Sequence, residues 1–264
     1  MTSTIRFDDG AAYERYMGKW SQLAGEAFLR WLAPPHKLRW LDVGCGNGAF
    51  TEMLVECCAP ASVQGIDPSA EQLAYARTRP LLRDALFRQG DAMALPFPDA
   101  TFDAAVMPLV IFFLTAPAKG VTEMARVVTP SGIVTSYGWD LADGGFPYDT
   151  LFGEMRAMGL VVPAPPSPDA SRRDRLHEFW TAAGLEAIDT TEIVVERTFT
   201  DFAAYWTTIL GSASVGQQLR ALSTQDLALL QARLQACLPA DATGRITYSA
   251  RANAVKGHVP PKRP

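Results

Sequence analysis

Metal-binding and crosslinking side chains are scarce in this 264-residue chain, which holds three histidines and four cysteines. His36, His177 and His258 lie far apart and form no HxxxH or His/carboxylate pattern, so no metal site is expected. Cys45, Cys57, Cys58 and Cys237 include an adjacent pair but no CxxC, which argues against a zinc site and against a disulfide scaffold. Positive charge is not in surplus either. With 24 Lys and Arg against 28 Asp and Glu, a net charge of -4 and a pI near 5.4, nothing is available to neutralise a phosphate backbone, and nucleic acid is not an expected partner. Long apolar runs are missing: the longest, residues 104–114, is broken by Pro108 and is far short of the roughly 20 residues that span a bilayer. The first ten residues lack a basic stretch followed by an apolar one, so a soluble cytoplasmic protein is expected.

What is present is an ordinary globular composition, 48% hydrophobic and 20% charged, which suggests one domain over residues 1–264. Apolar and aromatic residues recur at helical spacing over 11–32, including Tyr13, Tyr16, Met17, Trp20, Phe28 and Leu32, up to Pro34-Pro35. A core over 38–140 then alternates strands and helices. Strands are expected at 38–43, 62–66, 85–88, 102–107 and 132–137, and helices at 50–55, 70–78 and 116–128. Such alternation argues for an α/β protein with a mainly parallel sheet. Turns are expected at 96–99 and 129–132, where proline and glycine punctuate. Residues 140–169, with Gly144-Gly145 and several prolines, read as a mobile connection within a cap over 141–183 that ends in a helix at 172–183. Strands at 185–197 and 245–255 bracket a helical insertion over 200–238.

The chemistry begins at the first strand. Leu41-Asp42-Val43-Gly44-Cys45-Gly46-Asn47-Gly48 is a strand running into a glycine turn and a helix, a unit whose backbone can approach a nucleotide closely. Taken alone such a turn is also compatible with mere flexibility. Asp67 ends the second strand roughly 20 residues on, where a carboxylate can accept from ribose hydroxyls. It can equally cap the next helix through Asp67-Pro68-Ser69.

Together with Gly65-Ile66-Asp67-Pro68-Ser69, the stretch from Gly90-Asp91-Ala92-Met93 to Thr101-Phe102-Asp103, and Ala125-Arg126-Val127-Val128-Thr129-Pro130-Ser131-Gly132, this sequence resembles the class I S-adenosylmethionine (SAM)-dependent methyltransferases, in particular their ubiquinone/menaquinone-biosynthesis-type subgroup. The likeness covers residues 39–137. It implies a Rossmann-like fold with helices on both faces, an antiparallel last strand and a small helical cap insertion. It implies SAM as cofactor and a small-molecule acceptor. By the same resemblance Asp42 orients the turn and the amino acid end of SAM, with Gly44, Cys45 and Gly46 against the methionine moiety and Asn47 and Gly48 also in the cofactor-binding set. Asp67 holds the ribose, Pro68 meets the adenine face, and Asp91, with Ala92 and Met93, meets the adenine amino group. Met107 and Trp20 complete the cofactor set, Trp20 and Tyr16 being lid candidates on an N-terminal helix that closes over SAM.

Asp42 ahead of the turn would repel a pyrophosphate, which favours SAM over a dinucleotide, although Asp67 suits the ribose of either. Methyl transfer needs alignment more than acid–base help. No catalytic residue is assigned; Tyr137, Asp140, Asp143 and His177 are the only nominees for a base. Phe112-Phe113 stands where many relatives carry polar residues, which favours a partly apolar acceptor. Pocket-wall candidates are Phe112, Phe113, Tyr137, Trp139, Phe146, Tyr148, Tyr205 and Trp206, though aromatics at such spacing commonly serve the core. Two other readings stay open: a SAM-binding protein without turnover, and an NAD(P)-dependent oxidoreductase.

Overall fold

The computed structural model describes residues 14–212 and 215–261. Seven strands form one sheet in the order β3-β2-β1-β4-β5-β7-β6, where β1 is Arg39–Val43, β2 Ser62–Asp67, β3 Leu86–Gln89, β4 Phe102–Pro108, β5 Val128–Trp139, β6 Glu186–Phe199 and β7 Ile246–His258. β1 to β5 pair in parallel, and β7 alone is reversed, pairing antiparallel with both β5 and β6. The expected mainly parallel α/β sheet with one antiparallel last strand is what forms.

The central strands are apolar and buried because helices cover both sides. In β4, Ala104, Ala105, Val106 and Met107 are all fully buried. Helix α1 (Lys19–Leu32) presents Trp20, Ala24, Phe28 and Leu32 at four-residue spacing to the sheet, beside α2 (Ala49–Cys58). It stops where Ala33 takes a left-handed φ of 43° and donates to the Leu29 carbonyl at 3.0 Å. On the other face lie α4 (Pro117–Val127) and α6 (Arg173–Ala182). The pleat of β5 makes the division visible: Tyr137 stacks on Phe28 of α1 at 4.5 Å, while the next residue, Gly138, faces Ser171 just ahead of α6. Trp180 of α6 donates its indole N–H to the Val134 carbonyl at 2.9 Å, pinning the helix to β5. α3 (Ala70–Ala76) follows β2.

Some expectations need correction. The N-terminal helix begins at Lys19, after a wider π-type turn over Glu14–Gly18; the expected residues 11–13 lie outside the described residues. Thr129-Pro130-Ser131-Gly132 is not a separate turn between the helix and the strand. It is absorbed into β5 as a bulge, where the register against β4 jumps from Phe102↔Val128 to Ala104↔Ile133 and Ser131 takes φ 65°. Residues 140–169 are not a loose connection. They contain α5 (Asp149–Ala157) with Leu151 and Met155 fully buried, and Gly145 exchanges backbone bonds with Asp140 and Arg251 at 2.7 and 2.9 Å. Among the described residues the helical insertion holds three helices, α7 (Phe202–Leu210), α8 (Val215–Arg220) and α9 (Thr224–Cys237), with α9 packed on α5. Asp201 and Ser223 cap α7 and α9, accepting from the Ala204 and Asp226 amides at 2.7 and 3.0 Å.

Candidate cofactor site

Chain order reverses between β1 and β4: the chain builds β1, β2 and β3 outward on one side and returns to lay β4 on the other. A crevice opens beyond the carboxyl ends of strands at such a point, and the glycine turn fills it. Gly44, Gly46 and Gly48 all have positive φ, 74°, 50° and 79°. A Cβ on Gly44 would sit 2.5 Å from Val110 Cγ2, and one on Gly48 would sit 2.8 Å from Leu82 Cδ1, so both are held close to other parts of the fold. Gly46 differs. Among the described residues its nearest neighbour on that side is Gln72 Oε1 at 4.0 Å, which leaves room at the backbone for a ligand.

The turn is anchored from both ends. Gly44 and Cys45 donate to the Ile66 carbonyl at 2.7 and 3.1 Å, Gly46 donates to Asp67 Oδ2 at 2.9 Å, and Arg79 donates from Nε to the Asn47 carbonyl at 2.7 Å. Arg79 also pairs with Glu52 of α2 at 2.7 Å. Asn47 turns its side chain onto the Ala49 amide at 3.1 Å.

Asp42 is fully buried beneath this turn. Its Oδ2 accepts from the Thr51 hydroxyl at 2.6 Å, while Oδ1 has no hydrogen-bond partner among the described residues. Burial is the main reason its carboxyl is pushed up to about 7; the Thr51 bond works against this and the nearby Asp67 adds to it. A buried half-satisfied carboxylate is costly unless a cation or donor meets it. The ammonium of an amino acid would supply both, so the residues here fit the methionine end of SAM.

Asp67 ends β2 with its carboxylate at the mouth of the crevice. It accepts from the Gly46 and Ser69 amides, each at 2.9 Å. Burial raises its pKa and the two amides oppose that rise. Ser69, not Asp67, caps α3, its Oγ accepting from the Gln72 amide at 3.2 Å. Asp67 therefore keeps lone pairs for a ribose. On the adjacent strand end Asp91 is exposed and accepts from the Met93 amide at 2.8 Å, with Ala92 buried beside it, and Gln89 donates to the Pro68 carbonyl at 2.8 Å. Thus Asp42, Gly44 to Gly48, Asp67, Pro68 and Asp91 to Met93 gather along the ends of three neighbouring strands.

Other expected residues go elsewhere. Met107 is fully buried, and its methyl lies against α4, 3.6 Å from where a Cβ on Gly120 would be. Its side chain serves the core. Trp20 is fully buried against Tyr248 at 5.2 Å between ring centres, and Tyr16 stacks on Tyr148 at 4.3 Å. Both already belong to a packed aromatic group. Asp140, Asp143 and His177 line a polar cleft with Arg172 and Arg251, where Asp140 pairs with Arg251 at 2.8 Å and Asp143 with Arg172 at 3.5 Å. Tyr137 is sandwiched by Phe28 and Phe50. Of the expected pocket walls, Phe112 and Phe113 pack on each other at 4.7 Å beyond β4, while Phe146, Tyr148 and Tyr205 join the aromatic group around Trp20. Trp139 is buried at the end of β5, and Trp206 stacks on Phe202. Val110, Gln72 and Arg79, which shape or hold the turn, went unnoticed in the sequence; each comes from a distant segment with no local signal.

A reversed seventh strand, a glycine turn at the switch point and acidic residues at the next two strand ends define the Rossmann-like methyltransferase fold. Residues 41–135 match the sequence model of a family described as a methyltransferase domain. The chain is 37% identical over 102 residues to 2-methyl-6-phytyl-1,4-hydroquinone methyltransferase 2, chloroplastic, of Oryza sativa subsp. japonica, covering 39% of this chain and 29% of that one. It is 36% identical over 96 residues to demethylmenaquinone methyltransferase of Thermus thermophilus, covering 36% of this chain and 44% of that one. The chain therefore spans less than half the length of these relatives. In structure it is similar to phosphoethanolamine N-methyltransferase 2 of Haemonchus contortus in complex with SAM, with a TM-score of 0.58 at 18% identity over 97% of this chain and 57% of that one. No helix among the described residues is long and apolar enough to cross a membrane.

Proposed function

We propose that this protein transfers a methyl group from SAM to an oxygen, nitrogen or carbon of a small-molecule acceptor. The observation that carries the reading is that, among the described residues, Oδ1 of buried Asp42 is unpartnered beneath a turn whose Gly46 meets nothing nearer than Gln72 at 4.0 Å. SAM when bound supplies a methyl group already activated on a sulfonium. In this reading Asp42 holds the ammonium, Asp67 accepts from the ribose hydroxyls, Pro68 and Met93 flank the adenine, and Asp91 accepts from its amino group. The protein's task is then alignment of the acceptor and exclusion of water.

We read the chain as a single methyltransferase domain acting in the cytoplasm, where the exposed, unpaired Cys57 and Cys237 stay reduced. The net charge of -4 supports a small molecule over nucleic acid as acceptor. Of the nominated bases Asp140 and Asp143 are engaged in ion pairs and Tyr137 in the core, while His177 is exposed on the polar cleft away from the glycine turn, which supports either an acceptor that needs no deprotonation or a protein that binds SAM without turnover. Calorimetric titration with SAM, NAD and NADP, followed by an assay for S-adenosylhomocysteine release over a panel of acceptors, tests these readings. Saturable SAM binding with turnover is expected. A dinucleotide response without SAM binding would overturn the proposal in favour of an oxidoreductase.

A further inference from the structure

The inward face of β6 runs Ile193, Val195, Arg197, Phe199, placing a guanidinium where period two expects an apolar side chain. Its direct partner across the ladder is Tyr248 of β7, so the two side chains share a face. Ring centres link Tyr248 to Trp20 at 5.2 Å and to Tyr205 at 6.3 Å, Tyr205 to Tyr148 at 6.3 Å, and Tyr148 to Tyr16 at 4.3 Å. Within this enclosure the hydroxyls of Tyr16 and Tyr248, the indole N–H of Trp20 and one terminal nitrogen of Arg197 are cut off from water and make no well-formed hydrogen bond among the described residues; the Tyr148 hydroxyl lies near Trp20 and Arg197, and the Arg197 guanidinium covers the Phe199 ring at 4.2 Å. Tyr16 is 8% exposed and Trp20 0%.

A guanidinium and an indole N–H only donate. The phenols stay protonated as well, since burial raises the pKa of Tyr16, Tyr148, Tyr205 and Tyr248 and their mutual proximity adds to it for Tyr16, Tyr205 and Tyr248. One enclosure thus gathers donors beside a positive charge with only neutral phenol oxygens to meet them, an arrangement that favours the arrival of acceptor atoms with negative charge. Its location points to the second reactant. β7 is three strand steps from β1, about 14 Å, and Tyr248 lies four residues beyond Ala252, the partner of the last residue of β5, on the carboxyl edge of the sheet.

We infer that the enclosure formed by Arg197, Trp20 and the four tyrosines receives an anionic group, a carboxylate or a phosphate, of the methyl acceptor. The assignment to an acceptor rests on the proposed methyl transfer. The test is calorimetric titration of the full chain, loaded with S-adenosylhomocysteine, with benzoate and with inorganic phosphate at fixed ionic strength, using benzamide as the neutral control. Saturable binding of at least one anion and none of benzamide is expected. Arg197→Gln should weaken the anion by about tenfold to a hundredfold, and Tyr248→Phe by severalfold, with homocysteine-nucleoside affinity unchanged in both. Equal anion affinity in Arg197→Gln, or no anion binding by the unaltered protein, would overturn the inference. Loss of S-adenosylhomocysteine binding in Arg197→Gln would overturn it too, by giving the enclosure to the carboxylate of the cofactor. If the unaltered protein fails to bind S-adenosylhomocysteine, methyl transfer falls, and the same anion titration without it still decides whether the enclosure takes an anion. The free Arg197→Met protein should melt no lower than the unaltered one; a marked drop would make Arg197 a structural residue and refute the inference.

Discussion

Replacing Asp42 by Asn should separate the stability of the free protein from its affinity for SAM, and in opposite directions. The carboxyl is fully buried, with one oxygen on Thr51 and the other unpartnered, and its pKa stands at about 7 against an ordinary 3.8. Ionising it at a pH well above 7 therefore costs the folded protein roughly 4 kcal/mol relative to the unfolded chain, at 1.36 kcal/mol per pH unit. The folded state binds the extra proton, so this group lowers stability as pH rises from about 4 to about 7 and its penalty is complete above that. Asn keeps an acceptor for the Thr51 hydroxyl and carries no charge. In the free protein Asp42→Asn should accordingly change little at pH 5, where the carboxyl is neutral in the fold, and should stabilise by roughly 2 to 4 kcal/mol at pH 8.5. That corresponds to a rise in melting temperature of about 5 to 15 °C for a chain of this size. SAM affinity should fall about tenfold to a hundredfold at pH 8.5 through loss of the charged partner. Thermal unfolding at both pH values, with and without SAM, reads all of this. An equal effect of the substitution at pH 5 and pH 8.5 would refute the argument.

Asp67→Ala should weaken SAM by about 1.5 to 3 kcal/mol in calorimetry, since bonds to an ionised acceptor are lost; unaltered affinity would remove the ribose assignment. Gly44→Ala should destabilise the protein by roughly 2 kcal/mol or more in urea, because the new methyl would meet Val110 at 2.5 Å on a backbone with φ 74°. Adding Val110→Ala should recover part of that loss, and no recovery would show that backbone strain alone is responsible. Amide exchange over the turn at Glu14–Gly18 should slow when SAM is added, while most of Lys19–Leu32, whose apolar face is already packed, should change little. Unchanged exchange at 14–18 would end the lid assignment.

The cofactor half of the fold was legible because its signals are local. The glycine turn, the acid after β2 and the alternation of strand and helix each fit within a few residues, so β1 to β4 fall within a residue or two of their expected limits. Where long-range pairing decides, local reading failed. The Pro130-Ser131-Gly132 turn chemistry was real, but pairing of β5 with β4, and of Ser131 and Gly132 with Val259, drew it into a bulged strand. The proline-rich look of residues 140–169 hid α5, whose buried Leu151 and Met155 find their partners in the fold rather than in neighbouring sequence. Met107 shows a similar limit: a strand end near the crevice has two faces, and register sends this side chain toward α4. Arg197 did leave a trace, a charge inside an apolar alternation, but its meaning needs Tyr248 opposite it.

The reversal of β7 makes the chain modular. Because β6 and β7 run antiparallel with Phe199 opposite Ile246, the stretch between them leaves and re-enters the sheet through a doorway about 5 Å wide. Everything from α7 to α9 hangs from that doorway, while β1 to β4 and the glycine turn are encoded earlier and elsewhere. A cassette of another sequence and length could be exchanged there while the bonds that hold the glycine turn stay in place, so that, on the proposed reading, new acceptors can be acquired by splicing at one hinge while the methyl donor stays the same.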